Sequence, residues 1–462
     1  MKVSSTGGTG MENMAKDLEA KGNIQKGKEE ITVGKSIFLG VQQILAMDLF
    51  IPPIILAGLL SFSVSDSALL IQMTFIACGI ATIIQAGFAM KLPVMQGPSF
   101  VPLSALAAIG TTSGIGTMIG SLIPGALIIA LLGYPLKLYS KVVRKVIPPI
   151  VAGTVIVVVG ISLMPSAINS IYTAEGSFGE NILVATVTAA VLIFCMYVGE
   201  KAKSKWKYIK VVSVILALGL GSLVASFFGL VSFASLENAS WFQMPSLFAF
   251  GAPQFNVHAI LVMIVVYLIV TIETTGTWFT VSNVTGEELN DKRLNGGAFG
   301  EGLGCFVGSF FGGTPVTGYS SNAGIIAITG VKSRKPIIMG GIMLVVLGMM
   351  PKLTSLIACI PSVVINSVFA ILCVIIMMNG FKVVKGLEFT ERNMIVIGVP
   401  IMLALFAVLM PANVLNGLPE IVTYFVSSGT AIGAIAALIL NLVLPQKQVE
   451  RVNTNKPTVN VN

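Results

Sequence analysis

Charge is what this chain has least of: of 462 residues only 10% are Asp, Glu, Lys or Arg, against about 25% in an ordinary soluble domain. A chain this long with so few charges cannot cover a water-facing surface, which excludes a cytosolic enzyme. Paired cysteines are lacking too. Cys78, Cys195, Cys305, Cys359 and Cys373 are odd in number, lie inside apolar runs and form no C-x-x-C pair, so they read as small core residues. One histidine, His258, leaves little room for His-based catalysis or metal binding. No nucleophile-base pair, phosphate loop or metal-spaced cluster is present. Gly114-Ile115-Gly116 and Gly219-Leu220-Gly221 fall in apolar runs and read as helix-packing positions. The expectation is therefore no enzyme, no cofactor and no metal. No cleavable signal peptide is expected either, because residues 1–36 are polar and mixed in charge and read as a disordered cytoplasmic tail.

What is abundant is apolar sequence, with a hydrophobic fraction of 55% and a mean hydropathy of +0.91. A spanning helix needs about 20 apolar residues. Candidate spans lie at 37–59, 68–90, 95–110, 115–138, 147–165, 181–199 and 208–230, then at 257–281, 296–312, 317–330, 336–351, 355–379, 394–411 and 422–444. The third and tenth of these fourteen are too short to cross as whole helices. Gly and Pro precede each, in Gln96-Gly97-Pro98-Ser99 and Gly312-Gly313-Thr314-Pro315.

The net charge of +8 resolves once it is placed on this map. Lys and Arg concentrate in cytoplasmic loops, and of the 28 here all but Lys352 fall on one side. The charge thus reports orientation, with both termini cytoplasmic, and carries no nucleic-acid meaning. The spans also repeat: span one and span eight, and the broken segments around Ser99 and Ser321, are each offset by about 220 residues. Two units of seven spans must lie in opposite orientations. Inverted repeats with Gly/Pro-interrupted segments at matching positions point to a secondary transporter and to its binding site.

An ionisable group at mid-membrane costs at least a few kcal/mol and is a functional hypothesis by default. Three carboxylates qualify. Glu273 in span eight precedes the broken segment and is read as functional. Glu301 in span nine sits among glycines and is either a coupling group or a tie between helices. Asp48 belongs to span one, at mid-depth or nearer one interface. Gln43 in the same span is a neutral hydrogen-bonding candidate, and His258 reads as an interfacial anchor. With no ATP site, uphill transport requires ion coupling. A buried carboxylate that takes a proton together with substrate is the natural device.

The run Ser321-Asn322-Ala323-Gly324-Ile325-Ile326-Ala327-Ile328-Thr329-Gly330, continued by Ser333-Arg334, resembles the signature of the nucleobase-ascorbate transporter family, Q/E/P-N-x-G-x-x-x-x-T. Arg293-Leu294-Asn295-Gly296-Gly297 before Glu301 and Gln96-Gly97-Pro98-Ser99-Phe100 in span three join it. The resemblance implies an all-α polytopic fold of 14 segments in two inverted repeats, with short strands in segments three and ten. It implies a core of residues 37–139 and 236–351, a gate of 140–235 and 352–445, and a cytoplasmic tail at 446–462.

The implied substrate is a nucleobase held by Glu273, Ser99, Phe100, Thr277, Ser321, Asn322 and Gly324. Glu273, Glu301 and Asp48 would handle the coupling ion H+, while Gln43 and Thr329 support the site. The implied setting is the plasma membrane, with a homodimer formed through the gate. Gly330 after the motif Thr favours a purine such as xanthine or urate, the alternatives being uracil or an anion carried by the same architecture. Against the family pattern, Ser321 replaces a longer Gln or Glu, Thr277 a His or Asp, Gln43 a His, and Pro102 a Phe whose N–H would hold the base.

Overall fold

The structure is a computed structural model and describes residues 31–201, 208–237, 239–415 and 417–445. Of the disordered tail expected over residues 1–36, residues 1–30 lie outside the described residues, as do the lysines at 203, 205 and 207 and the tail from 446, whereas residues 33–36 already belong to a helix capped by the Thr32 side chain.

Each of the fourteen expected segments is present, several with shifted bounds. Span one is two helices, Val33–Leu45 and Ile51–Leu59. Pro52 and Pro53 supply no N–H to the preceding turn and disfavour helix at the residue before them, so the first helix ends upstream and the second starts on the prolines. Asp48 lies in that break, half-buried, its carbonyl accepting from the Ile51 N–H at 3.1 Å. It is therefore not on a continuous helix, as its place in span one had implied. Span two is Val64–Thr82 continued by a π-helical turn, Ile83–Ala89. The widened turn leaves carbonyls to be satisfied from outside, and Arg334, which ends the motif, donates to Ala86 O at 3.1 Å and to Gly87 O at 3.5 Å.

Strand β1 (Gln96–Pro98) and helix Leu103–Ser113 form span three; strand β2 (Val316–Gly318) and helix Ser320–Thr329 form span ten. The strands pair antiparallel, Gln96 with Gly318 and Pro98 with Val316. Bonds from Ser99 N–H to Pro315 O (2.8 Å) and from Tyr319 N–H to Met95 O (3.0 Å) extend the ladder. Antiparallel strands that each run into a helix send those helices to opposite faces of the membrane, as inverted repeats require.

The other spans are Ile115–Gly133, Pro149–Tyr172, Phe178–Lys201, Ser213–Phe227, Val257–Thr285, Asp291–Phe310, Lys335–Gly348, Ser362–Val384, Glu391–Val408, and the broken pair Glu420–Ser427 with Gly429–Val443. Span twelve starts later than expected because Pro351–Ala358 is a separate helix, bent 81° from span eleven.

Two packing groups result. Spans one to four interleave with spans eight to eleven, and spans five to seven with spans twelve to fourteen. The short helices Tyr139–Val146 and Pro351–Ala358 pack with the first group, on span nine and span two respectively. The boundaries expected at 139 and 351 thus fall beyond those helices. Close helix approach rests on small residues: a Cβ on Gly302 would lie 2.2 Å from Ala130 N, and one on Gly79 2.5 Å from Gly341 O. Large apolar side chains such as Phe194, Phe406, Leu442 and Val443 are exposed, the composition expected of a lipid-facing surface.

Candidate substrate site at the crossing strands

Span eight builds the site with two faces of one helix. Thr274 and Thr277, one turn apart, grip Gly318 from both sides: the Thr274 hydroxyl accepts its N–H at 2.8 Å and the Thr277 hydroxyl donates to its carbonyl at 2.9 Å. Gly318 must lack a side chain, since a Cβ there would lie 2.9 Å from Val94 and 3.0 Å from Thr274. Having accepted from Gly318, the Thr274 hydroxyl donates onward to Glu301 Oε2 at 3.3 Å. Glu301 is thereby wired to the strand pair.

The next stripe round the helix is Glu273, Gly276 and Thr280, increasingly exposed toward the lysine-rich end. The carboxyl of Glu273 accepts from the Ser99 hydroxyl at 2.9 Å, and the Ser99 hydroxyl oxygen in turn accepts the Val101 N–H at 3.2 Å. Ser99 therefore ties the entry of the span-three helix to the span-eight acid. Opposite, the helix after β2 exposes Ser320, Ser321, Gly324 and Ile328. Neither Gly276 nor Gly324 would have any atom within 4 Å of an added Cβ. Open space therefore adjoins Gly276, one turn from Glu273 on its helix, and Gly324, one turn from Ser321 on its own.

The other expected residues stand behind this surface. Asn322 is fully buried and donates to Gln43 Oε1 at 2.6 Å, strapping the start of the span-ten helix to span one. Thr277 is spent on Gly318. Thr329 donates to Ile325 O at 2.8 Å and closes the far end of the helix, where Gly330 adopts φ 69°. Glu301 is 2% exposed, buried behind Thr274. Phe100 stacks on Phe369 of span twelve with ring centroids 5.7 Å apart. Ser104 to Ser428 at 3.2 Å and Ser113 to Tyr424 at 2.5 Å join span three to span fourteen in the same way. These three contacts bridge the two packing groups along the span-three helix, on the side away from the lysine-rich loops.

Sequence reasoning left out three residues. Tyr319 donates its hydroxyl to Pro98 O at 2.8 Å. Its ring also crowds Gly97, where a Cβ would come within 2.5 Å. Gln96 lies beside Glu301, and none of Gln96 Oε1, Gln96 Nε2 and Glu301 Oε1 has a hydrogen-bond partner. Thr274 is the third. An aromatic between Gly318 and Ser320 was the available signal for Tyr319; nothing in the sequence distinguishes Thr274 from its neighbours in Thr274-Thr275. No cluster of His, Cys, Asp or Glu able to hold a metal occurs among the described residues.

The chain is similar to known proteins in both sequence and fold. The family model described as a permease family matches residues 34–413. A xanthine permease of Bacillus subtilis (strain 168) is 30% identical over 420 residues, covering 89% of this chain and 94% of the relative. The uric acid permease PucK of the same organism is also 30% identical, covering 91% and 98%. Xanthine permease XanP of Escherichia coli (strain K12) is 26% identical, covering 90% and 93%. Among solved structures, the transmembrane domain of the cyanobacterial bicarbonate transporter BicA matches with a TM-score of 0.58 at 15% identity, covering 88% of this chain and 96% of that one. Murine Slc26a9 in its inward-facing state matches at 0.61 and 12%, covering 96% and 73%; at such identities the likeness shows shared fold. The chain is a multi-pass membrane protein of the permease family, of the nucleobase-ascorbate type whose motif it carries from Ser321 to Arg334.

Proposed function

We propose that this chain is a proton-coupled purine transporter of the plasma membrane, with xanthine or urate as the favoured substrate class. The observation that carries the reading is the placement of Glu273: a half-buried carboxylate at the crossing strands, fixed by Ser99, with open space at Gly276 one turn along its helix and at Gly324 on the span-ten helix. A carboxylate accepts from ring N–H groups, of which oxidised purines have several, and a charge-assisted bond of this kind contributes about 1.5–3 kcal/mol. Names of the relatives, xanthine and uric acid permeases, support the same class. Sulfate, which has no N–H to donate, would gain nothing from a carboxylate at that point.

In this reading the first packing group is the core that carries the site and the second is the gate. If the lysine-rich side is cytoplasmic, the structure is open to the cytoplasm. The contacts of Phe100, Ser104 and Ser113 then close the outer seam, and they must part for substrate to enter. Ser321 is short, so the base is held mainly by Glu273 and by backbone at the start of the span-ten helix. Asp48 supplies a second titratable group near the site in place of the family histidine at Gln43.

Uptake of labelled xanthine into vesicles tests the function, competed by urate, uracil and sulfate, with and without an inward proton gradient. Competition by urate but not by uracil or sulfate, and loss of accumulation when the gradient is collapsed, are the expected results. Competition by uracil would shift the substrate to a pyrimidine; competition by sulfate alone would indicate an anion carrier. Replacing Asp48 by Asn is expected to flatten the pH dependence of initial uptake while substrate still competes. An unchanged pH profile would remove Asp48 from the coupling path.

A further inference from the structure

A second cavity, of about 500 Å³, lies where the break of span one meets span seven and the bent helix Pro351–Ala358. Its walls come from both packing groups: Met47 and Leu49 flank Asp48 in span one, Leu218 and Gly219 come from span seven, and Leu353 and Ile357 from the bent helix. It is more than three times the volume of a ~150 Å³ apolar cavity that stays dry and admits benzene. The polar atom of Ser222, on its wall, has no hydrogen-bond partner. Water needs two to four polar partners to stay in such a space, and this lining does not offer them.

Two features identify the occupant. Leu45, Ile215, Phe233 and Leu356, on the same lining, are exposed large apolar residues of a chain that sits in a bilayer, so the cavity opens sideways onto hydrocarbon. Beside that opening, one turn from Leu356 on the same helix, is Lys352, the single cation outside the lysine-rich side. Its ammonium lies 4.7 Å from the centroid of the Trp241 ring, itself 70% exposed. Lys and Trp together mark the headgroup level of a membrane. Among the described residues no carboxylate pairs with Lys352.

We propose that the cavity is a phospholipid site: one acyl chain enters between span one and span seven, and the lipid phosphate rests on Lys352. The lipid then fills the seam between the two packing groups next to the Asp48 break. This assignment does not depend on the transported substrate.

The test uses the full-length protein in vesicles of phosphatidylcholine and phosphatidylglycerol, the latter carrying a diazirine at the middle of one acyl chain. After illumination, crosslinks are mapped by mass spectrometry. Segments 44–50, 215–222 and 353–360 are expected to be labelled well above the lipid-facing faces around Phe194 and Phe406. Gly219→Phe directs a ring into space where an added Cβ meets nothing within 4 Å, and its labelling of those segments should fall to the lipid-facing level. Gly219→Ala, which leaves most of the cavity open, should keep the label and serves as the folding control. Lys352→Ala should lower phosphatidylglycerol labelling several-fold. Labelling of the three segments no higher than elsewhere, or unchanged in Gly219→Phe, overturns the site; unchanged labelling in Lys352→Ala overturns the headgroup contact.

Discussion

Glu273→Gln is expected to abolish high-affinity uptake while the protein still reaches the membrane. The substitution keeps the shape and leaves an oxygen to accept from Ser99, so the strand crossing and the entry of the span-three helix are preserved. What it removes is the charge, and with it the preference for a ring N–H over water. A lost charge-assisted hydrogen bond of about 1.5–3 kcal/mol corresponds to roughly ten- to a hundred-fold in affinity. Initial uptake against substrate concentration, normalised to surface protein, reads this directly. Normal uptake would refute the assignment of Glu273 as the main ligand.

Glu301→Gln is expected to fail differently. Glu301 is buried, and Thr274 links it to the strand pair, its hydroxyl accepting from the Gly318 N–H and donating to the carboxyl. A Gln oxygen can still accept from Thr274, so folding and substrate binding survive, but the side chain can no longer gain or lose a proton. Exchange of labelled for unlabelled substrate across the membrane should therefore persist while gradient-driven accumulation is lost. Equal loss of both would make Glu301 a structural tie; retention of both would remove it from coupling.

The contrast between these two acids was not readable in the chain. Both were evident as carboxylates in apolar runs, because a charge in a spanning segment is conspicuous by cost alone. Which one is half-buried beside Ser99 and which one is buried behind Thr274 depends on the rotation of span eight against span nine and on where β2 passes between them. Asn322 shows the same limit. Its place in the motif suggested contact with the base, whereas its amide is committed to Gln43, 279 residues earlier in the chain. Thr277 likewise serves Gly318. The break at Asp48 was within reach of the sequence, since Pro52-Pro53 announces it, but the long apolar run around it reads as one span.

The sequence by itself determined that this is a polytopic membrane protein of fourteen segments in two inverted halves, and it pointed to the interruptions of segments three and ten as the candidate site. Each of those conclusions rests on local properties: hydropathy over a membrane thickness, the sidedness of Lys and Arg, and the inability of Gly and Pro to continue a helix. Only the tertiary structure decided which polar groups meet. It made Ser99 the partner of Glu273, linked Glu301 through Thr274 to the strand pair, bonded Tyr319 to the carbonyl of Pro98, and opened an apolar cavity beside Lys352. Those outcomes depend on helix rotation and on strand register between residues more than 200 positions apart, set by close packing at glycines such as Gly302 and Gly318 rather than by any periodicity along the chain.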